Sequence, residues 1–238
     1  MALLEAKGLE MKYAGSHALR GVDMAIEPGR IIGLLGPNGS GKTTMMKVFA
    51  CLLYPTAGEV VYPGRAARGV ESKRTIAFLP DTIAFPDYMR TRDAFGFYKD
   101  MYPDYSAGRA DEMIKLLDLG GLMDKRINKL SKGMQERVAL GVTFSRNTQL
   151  YLLDEPLGGV DPLGKSRIVD AILSMQLDNS SIVVSTHLVK DMEQIFDSVF
   201  FLSGGKIVFS GDCDKMREEQ GKTVEQAYLE VFAYEGAV

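Results

Sequence analysis

The sequence predicts an α/β protein with a mostly parallel sheet, and three short apolar runs carry that prediction. Residues 31–35, 150–153 and 181–185 have the length and composition of buried strands. Each run is followed by glycines or polar residues, and the carboxyl ends of parallel strands meet at one edge of a sheet. We therefore expect a functional site along that edge.

A second, antiparallel sheet is predicted near the amino terminus. Residues 3–12 and 19–26 are shorter and more alternating in polarity, as half-exposed strands are, and residues 59–62 are a third candidate strand. This sheet would form an antiparallel β-subdomain on the same core.

Helices are predicted after the first buried strand, in the middle of the chain and at its end. Residues 42–53 have helical composition, and residues 109–119 and 135–144 place apolar side chains at helical spacing. Residues 224–234 are expected to form a closing helix. The middle aromatics predicted to form a helical core are Phe95, Phe97, Tyr98, Tyr102 and Tyr105.

We interpret residues 1–238 as one domain. Residues 1–85 and 142–238 form the α/β core with its antiparallel subdomain, and residues 86–141 form an inserted helical subdomain, because strand signals fade there.

Composition limits the partners and the compartment. A formal net charge of -3 gives no global reason to expect a nucleic-acid partner. Cys51 and Cys213 lie far apart and are expected to be reduced, buried thiols. The longest apolar runs are far shorter than the ~20 residues that span a bilayer, so another chain would have to hold this one at a membrane.

A phosphate-binding loop is predicted between the first buried strand and the next helix. Residues 36–43 fit the P-loop pattern at every fixed position, in the strand-to-helix context that its mechanism requires. Lys42 is expected to reach the β- and γ-phosphates, and the Thr43 hydroxyl to ligate Mg²⁺. The residues predicted to bind the nucleotide here are Gly36, Pro37, Asn38, Gly39, Ser40, Gly41, Lys42, Thr43 and Thr44.

Two carboxylates follow the second buried strand. Asp154 is expected to hold Mg²⁺, and Glu155 is placed to activate the attacking water. A P-loop alone leaves kinase, GTPase, motor and transporter ATPase open. The nearest candidate for a guanine-reading Asn-Lys-x-Asp segment, residues 128–131, ends in Ser131, so guanine specificity is unsupported.

Residues 130–135 resemble the signature motif of ABC ATPases, whose usual form is Leu-Ser-Gly-Gly-Gln. The resemblance covers essentially the whole chain, and residues 223–228 are similar to the last helix of ABC-2-type export ATPases. It implies that Tyr13 stacks on adenine, that Asp161 occupies the D-loop position and that His187 is the switch histidine. The signature residues it assigns are Leu130, Ser131, Lys132, Gly133 and Met134.

The resemblance also implies a mechanism that needs two subunits and a membrane partner. Two ATP-binding subunits, identical or different, would close head to tail around ATP and Mg²⁺, with Ser131 and Gly133 of one facing the γ-phosphate on the other. Glu155 would act as base, with Lys42 and His187 on the phosphates. The resemblance to the export branch implies that hydrolysis drives a separate transmembrane permease for export, with this chain in the cytoplasm on the inner face of the membrane.

Three positions depart from the family pattern. Lys132 replaces the first signature glycine, Met134 replaces the signature glutamine, and Asp81 stands where the Q-loop has Gln. A carboxylate at position 81 can still ligate Mg²⁺ but is shorter and charged. These three changes bear on ATP turnover and on coupling to a permease.

Two other functions fit parts of the sequence. A soluble ABC ATPase acting on ribosomes or DNA would usually carry two ATPase halves or a long coiled-coil insertion, and neither is present in these residues. A regulatory module that binds nucleotide without turnover is disfavoured by Glu155.

Overall fold

The computed structural model describes residues 2–62, 65–66, 75–82, 84–176 and 180–233. Within these residues the chain forms a six-stranded and a four-stranded sheet, with helices around the larger one. The described residues contain no helix that is long and apolar enough to cross a membrane.

The six-stranded sheet confirms the predicted parallel core. Its strand order is β10-β9-β3-β8-β7-β6, and every neighbouring pair is parallel except β9 with β10. The strands are β3 (Ile31–Leu35), β6 (Ile76–Leu79), β7 (Leu150–Asp154), β8 (Ser181–Thr186), β9 (Ser198–Ser203) and β10 (Lys206–Asp212). The three predicted runs are β3, β7 and β8, and they are buried throughout because helices or the second sheet cover both faces.

The predicted antiparallel sheet is also present. Its order is β2-β1-β4-β5, and its first strands alternate buried and exposed side chains as half-exposed strands do. The strands are β1 (Leu4–Tyr13), β2 (Ser16–Ile26), β4 (Ala57–Tyr62) and β5 (Arg65–Ala66). Side chains from β1 and β2 pack with those of β3 and α1 in one apolar cluster, so this sheet covers one face of the core.

Helices lie after the parallel strands and in the middle of the chain. They are α1 (Lys42–Phe49), α2 (Thr91–Met101), α3 (Ala107–Leu116), α4 (Lys132–Phe144), α5 (Pro162–Gln176), α6 (Val189–Met192), α7 (Cys213–Gln220) and α8 (Val224–Ala233). Helix α1 ends earlier than predicted, and the closing helix is observed to Ala233, with Tyr234 outside the described residues. The predicted domain boundaries stay a prediction. Helix α4 runs across the predicted boundary between residues 141 and 142.

The aromatic core predicted for the middle of the chain is confirmed in part, because Tyr98 and Tyr105 pack against the same buried cluster as Phe95. Phe95 is buried, but Phe97, also on α2, is 49% exposed. Tyr102 lies against the Arg146 guanidinium, which is 4.2 Å from its ring centre. Spacing along a helix assigns faces only once the neighbours are known, and Phe97 lines an open apolar cleft to which α4 also contributes side chains.

Candidate nucleotide-binding site

The predicted phosphate loop connects β3 to α1. A Cβ at Gly36 would lie 2.2 Å from the Leu202 carbonyl oxygen, so only glycine allows the loop to pass β9 this closely. Gly39 and Gly41 have φ values of 80° and 111°, in the region that favours glycine. The loop therefore takes its shape from residues that the sequence pattern had already singled out.

Lys42 is held inside this loop. Its side chain is 6% exposed, and Nζ donates to the carbonyl oxygens of Gly36 at 2.8 Å and Pro37 at 3.3 Å. Nζ also lies 3.5 Å from Oε1 of Glu155. The cation is thus fixed at the mouth of the loop by short contacts to three residues.

Asp154 ends strand β7 and is 1% exposed. The Ser185 hydroxyl donates to its Oδ1, and the Thr43 side chain hydrogen-bonds the same carboxyl group. Burial raises the pKa of Asp154, while those two hydrogen bonds oppose the rise. Its Oδ2 is buried and has no hydrogen-bond partner among the described residues. A buried carboxylate oxygen without a donor, next to a hydroxyl, fits a Mg²⁺ ligand.

Glu155 follows immediately in a left-handed backbone conformation. Its φ of 52° is unusual for a residue with a side chain, and its N–H donates to the Ser185 carbonyl at 2.9 Å. Its Oε2 accepts from the Thr186 hydroxyl at 3.1 Å, and its Oε1 lies 3.0 Å from Nδ1 of His187. Backbone strain of this kind concentrates at functional sites, because the surrounding contacts must hold it.

His187 follows β8 and is exposed, as its side chain is 44% accessible. Strands β3, β7 and β8 are neighbours, so their carboxyl ends bring Lys42, Asp154, Glu155 and His187 together. The sequence predicted this edge. It missed the supporting hydroxyls of Ser185 and Thr186, whose only signal was polarity at the end of an otherwise apolar strand.

The predicted signature segment lies on another element, at the start of α4. Ser131 caps the helix by accepting from the Met134 N–H at 3.3 Å, and both Ser131 and Lys132 are exposed, whereas Leu130 is buried. A Cβ at Gly133 would lie 3.3 Å from Cα of Val160. The segment therefore packs against residues that lead into Asp161.

Asp161 caps the helix that follows it. Its Oδ1 accepts from the Gly164 N–H at 3.0 Å, and this bond lowers the pKa of Asp161. The Lys132 side chain crosses Gly159, where a Cβ would lie 3.0 Å from its Cδ. The predicted signature and D-loop positions are thus neighbours within one chain.

Asp81 lies beyond the end of β6 and is exposed. Its charge contributes to the raised pKa of Asp154, which places it near the same edge of the sheet. In the part of the chain that the structure describes, no group of three or more His, Cys, Asp or Glu side chains is arranged to hold a metal ion. Mg²⁺ in nucleotide sites uses one or two carboxylates and takes its other ligands from phosphate and water, so two carboxylates and a hydroxyl suffice.

Tyr13 is 45% exposed at the end of β1. It lines a shallow pocket of about 550 Å³ together with Lys12, Arg20 and His17. An exposed ring beside an open pocket suits stacking on a flat base. His17 is half-buried, with Nε2 lying 3.6 Å from Oε2 of Glu10.

The strand, glycine loop and helix, with a buried lysine and an Asp-Glu pair on the neighbouring strand, define a P-loop nucleotide-binding protein. The model of one family, described as ABC transporter, matches residues 19–158, more than half of the chain. The protein belongs to the ABC transporter family.

Relatives and solved structures agree with this assignment. An uncharacterised ABC transporter ATP-binding protein of Synechocystis sp. is 29% identical over 82% of this chain and 56% of its own length. The daunorubicin resistance ATP-binding protein DrrA3 of Streptomyces coeruleorubidus is 29% identical over 90% of this chain and 69% of its own length. The chain thus spans little more than half of the first relative.

A solved ATP-binding subunit of an ABC transporter superimposes with a TM-score of 0.86 at 26% identity. The superposition covers 97% of this chain and 99% of the solved one. The sheet order and helix positions described above are therefore those of an ABC cassette.

Proposed function

We propose that this chain is the ATP-hydrolysing subunit of a transporter. The observation that carries the proposal is the convergence of Lys42, Glu155 and His187, with Oε1 of Glu155 lying 3.5 Å from the lysine and 3.0 Å from the histidine. A phosphate-binding cation, a carboxylate base and an imidazole at one edge are what hydrolysis of a phosphoanhydride requires.

Each group has a distinct role in that reaction. Glu155 accepts the proton of the attacking water, and His187 binds the γ-phosphate and holds Glu155 in place. Thr43 and Asp154 would hold Mg²⁺, with Asp81 nearby, and the bound ion would neutralise charge on the phosphates. Tyr13 stacks on the adenine ring. Lys42 exchanges its carbonyl and Glu155 contacts for phosphate oxygens.

A second copy, or a related chain, completes the site. Ser131 is exposed at the start of α4, where helix N–H groups and the helix dipole favour an anion. In a head-to-tail dimer this segment would contact the γ-phosphate held by the other subunit's residues 36–43. ATP would then lie between two subunits and hold them together until it is hydrolysed.

An apolar cleft supports a membrane partner. The cleft has a volume of about 410 Å³ and lies between the end of β6 and helix α2, where Tyr88 and Phe97 are exposed. It would receive an apolar helix from a transmembrane permease, which would hold the chain at the inner face of the membrane. The name of the DrrA3 relative, a resistance protein, favours export as the direction.

The test is Glu155→Gln, which removes the base and keeps the shape of the side chain. We expect ATP turnover to fall by roughly 10² or more, because that is the scale of a general base. ATP binding should persist, and size-exclusion chromatography with ATP should show a stabilised dimer. If the wild-type chain does not hydrolyse ATP at high protein concentration, or if Glu155→Gln hydrolyses it equally well, the enzyme function is excluded. A variant that stays monomeric with ATP would argue against a homodimer.

A further inference from the structure

Glu193 fastens the segment after His187 to the closing helix. Helix α6 (Val189–Met192) is followed directly by its C-cap residue Glu193, whose Oε2 accepts from the backbone N–H of Glu225 at 2.9 Å. The Glu193 carbonyl also accepts from the Arg217 guanidinium at 2.9 Å. Glu193 therefore connects α6, the helix that follows His187, to both α7 and α8.

The bond to Glu225 is suited to a carboxylate. First-turn N–H groups have no partner inside their own helix, and the dipole at that end favours a negative charge. The Thr223 N–H donates to the side-chain oxygen of Gln226 at 3.0 Å, and the Gln226 N–H donates to the Thr223 hydroxyl at 3.1 Å. The N–H of Glu225 remains for Glu193, so this contact fixes where α8 begins relative to α6.

The closing helix is itself anchored on the central sheet. The Tyr228 ring packs edge-on against Phe201, with 5.6 Å between ring centres, and Phe201 is fully buried. Phe201 pairs with Leu35, the last residue of β3 before the phosphate loop. Burial raises the pKa of Tyr228, and the charge of Glu155 contributes to that rise, so this face of α8 lies near the reacting edge.

The opposite side of α6 is tied to helix α5. Lys165 donates to Asp191 at 2.6 Å, and the Lys165 N–H donates to the carbonyl of Asp161 at 2.9 Å. The His187 side chain is exposed, and among the described residues its hydrogen-bond partner is Glu155. Its position therefore depends on how its backbone segment is held.

We infer that Glu193 is a positioning residue for hydrolysis, holding α6 against the anchored helix α8 so that His187 stays in register with Glu155. The inference rests on the proposed function of the site. Glu193 does not touch the reacting atoms. It acts through the backbone that follows His187.

The experiment compares Glu193→Ala, Glu193→Gln and Glu230→Ala with the wild type. Glu230 lies on the same helix as Glu225, where its exposed carboxylate pairs with Lys222 at 2.6 Å, so its variant is the matched control. We expect Glu193→Ala to lower kcat for ATP about ten-fold while KM changes less than about two-fold, because small misplacements of a positioned group are costly. Glu193→Gln keeps an oxygen acceptor and should recover most of the loss.

A second readout is independent of turnover. The sequence has only two histidines, His17 and His187, so the imidazole NMR signals can be assigned with one His17→Gln variant. We expect the His187 signals to shift or broaden in Glu193→Ala and to stay unchanged in Glu230→Ala, with His17 as an internal reference.

The outcomes separate this inference from the function on which it depends. If the wild type hydrolyses ATP and Glu193→Ala keeps its kcat within about two-fold, the inference is overturned and the proposed function stands. A lowered kcat with unmoved His187 signals, or with Gln no better than Ala, also overturns it, because the loss is then not one of positioning. If wild type and Glu155→Gln are equally inactive, the proposed function fails first, and the NMR comparison still tests whether Glu193 sets the place of His187.

Discussion

Nζ of Lys42 lies 3.5 Å from Oε1 of Glu155, and the lysine side chain is 6% exposed. The cation that we assign to phosphate and the carboxylate that we assign to water therefore form one ion pair. A nucleotide must draw the lysine away from Glu155 and from the Gly36 carbonyl. Binding of phosphate and release of the base are thus one event in this site.

Replacing Lys42 by Ala should weaken ATP binding by roughly ten- to a hundred-fold, the value of a charge-assisted hydrogen bond. The measurement is a nucleotide titration by calorimetry. Lys47→Ala is the control, since Lys47 lies in the last turn of the same helix. Equal affinity in wild type and Lys42→Ala would remove Lys42 from the role we give it.

Ser185→Ala tests how Asp154 is held. The Ser185 hydroxyl donates to Oδ1 of Asp154, so its loss leaves a buried carboxylate with fewer donors and raises its pKa further. We expect affinity for the magnesium complex of ATP to fall about five- to ten-fold, with little change for ATP in chelator. The Ser174→Ala variant is the control, because that hydroxyl donates to Ala171 within α5. A loss that is the same with and without magnesium would contradict the assignment of Asp154.

The sequence could predict the edge of the sheet but not the contacts across it. Apolar runs and the glycine pattern locate Lys42, Asp154 and Glu155, because strand burial and loop geometry are local properties. The partnership of Asp154 with Ser185 depends on the register of β7 against β8, in which these residues pair. That register is set by packing of the whole sheet. The exposure of Phe97 likewise depends on which side chains pack against α2, so its spacing in the sequence could not predict it.

We expect the buried carboxyl group of Glu136 to make the free energy of unfolding depend on pH. It lies on α4 and is 5% exposed, and burial raises its pKa to about 7, a rise that Lys132 opposes and Asp81 supports. An acid with a raised folded pKa disfavours the fold once ionised, so the penalty grows between the ordinary value of 4.5 and about 7 and is complete above that. Stability contributed by the neutral acid is therefore lost as the pH rises.

Glu136→Gln should remove this pH dependence. Between pH 5.5 and pH 8 the variant's free energy of unfolding should gain about 1–2 kcal/mol on that of the wild type, measured by urea denaturation. Glu112→Gln, an exposed change on α3, is the control and should follow the wild type. Parallel curves for Glu136→Gln and wild type would show that the carboxyl is not held neutral by the fold.

Asp81→Gln restores the amide that the family pattern has at this position. Asp81 is exposed, and its charge acts on both Asp154 and Glu136, so it lies between the edge of the sheet that carries Asp154 and helix α4. Removing that charge should lower the pKa of Asp154 and leave hydrolysis by the isolated chain within about three-fold, since Asp154 and Thr43, the two residues that we propose as Mg²⁺ ligands, are unchanged.

Stimulation by the membrane partner should change more than this basal rate, because the segment of Asp81 borders the apolar cleft. ATPase assays with and without the reconstituted permease measure both quantities, and Asp87→Asn, an exposed change nearby, is the control. If Asp81→Gln alters neither the basal nor the stimulated rate, the charge at position 81 plays no part in coupling ATP hydrolysis to the permease. The nucleotide site would then have to be coupled to the cleft through α4.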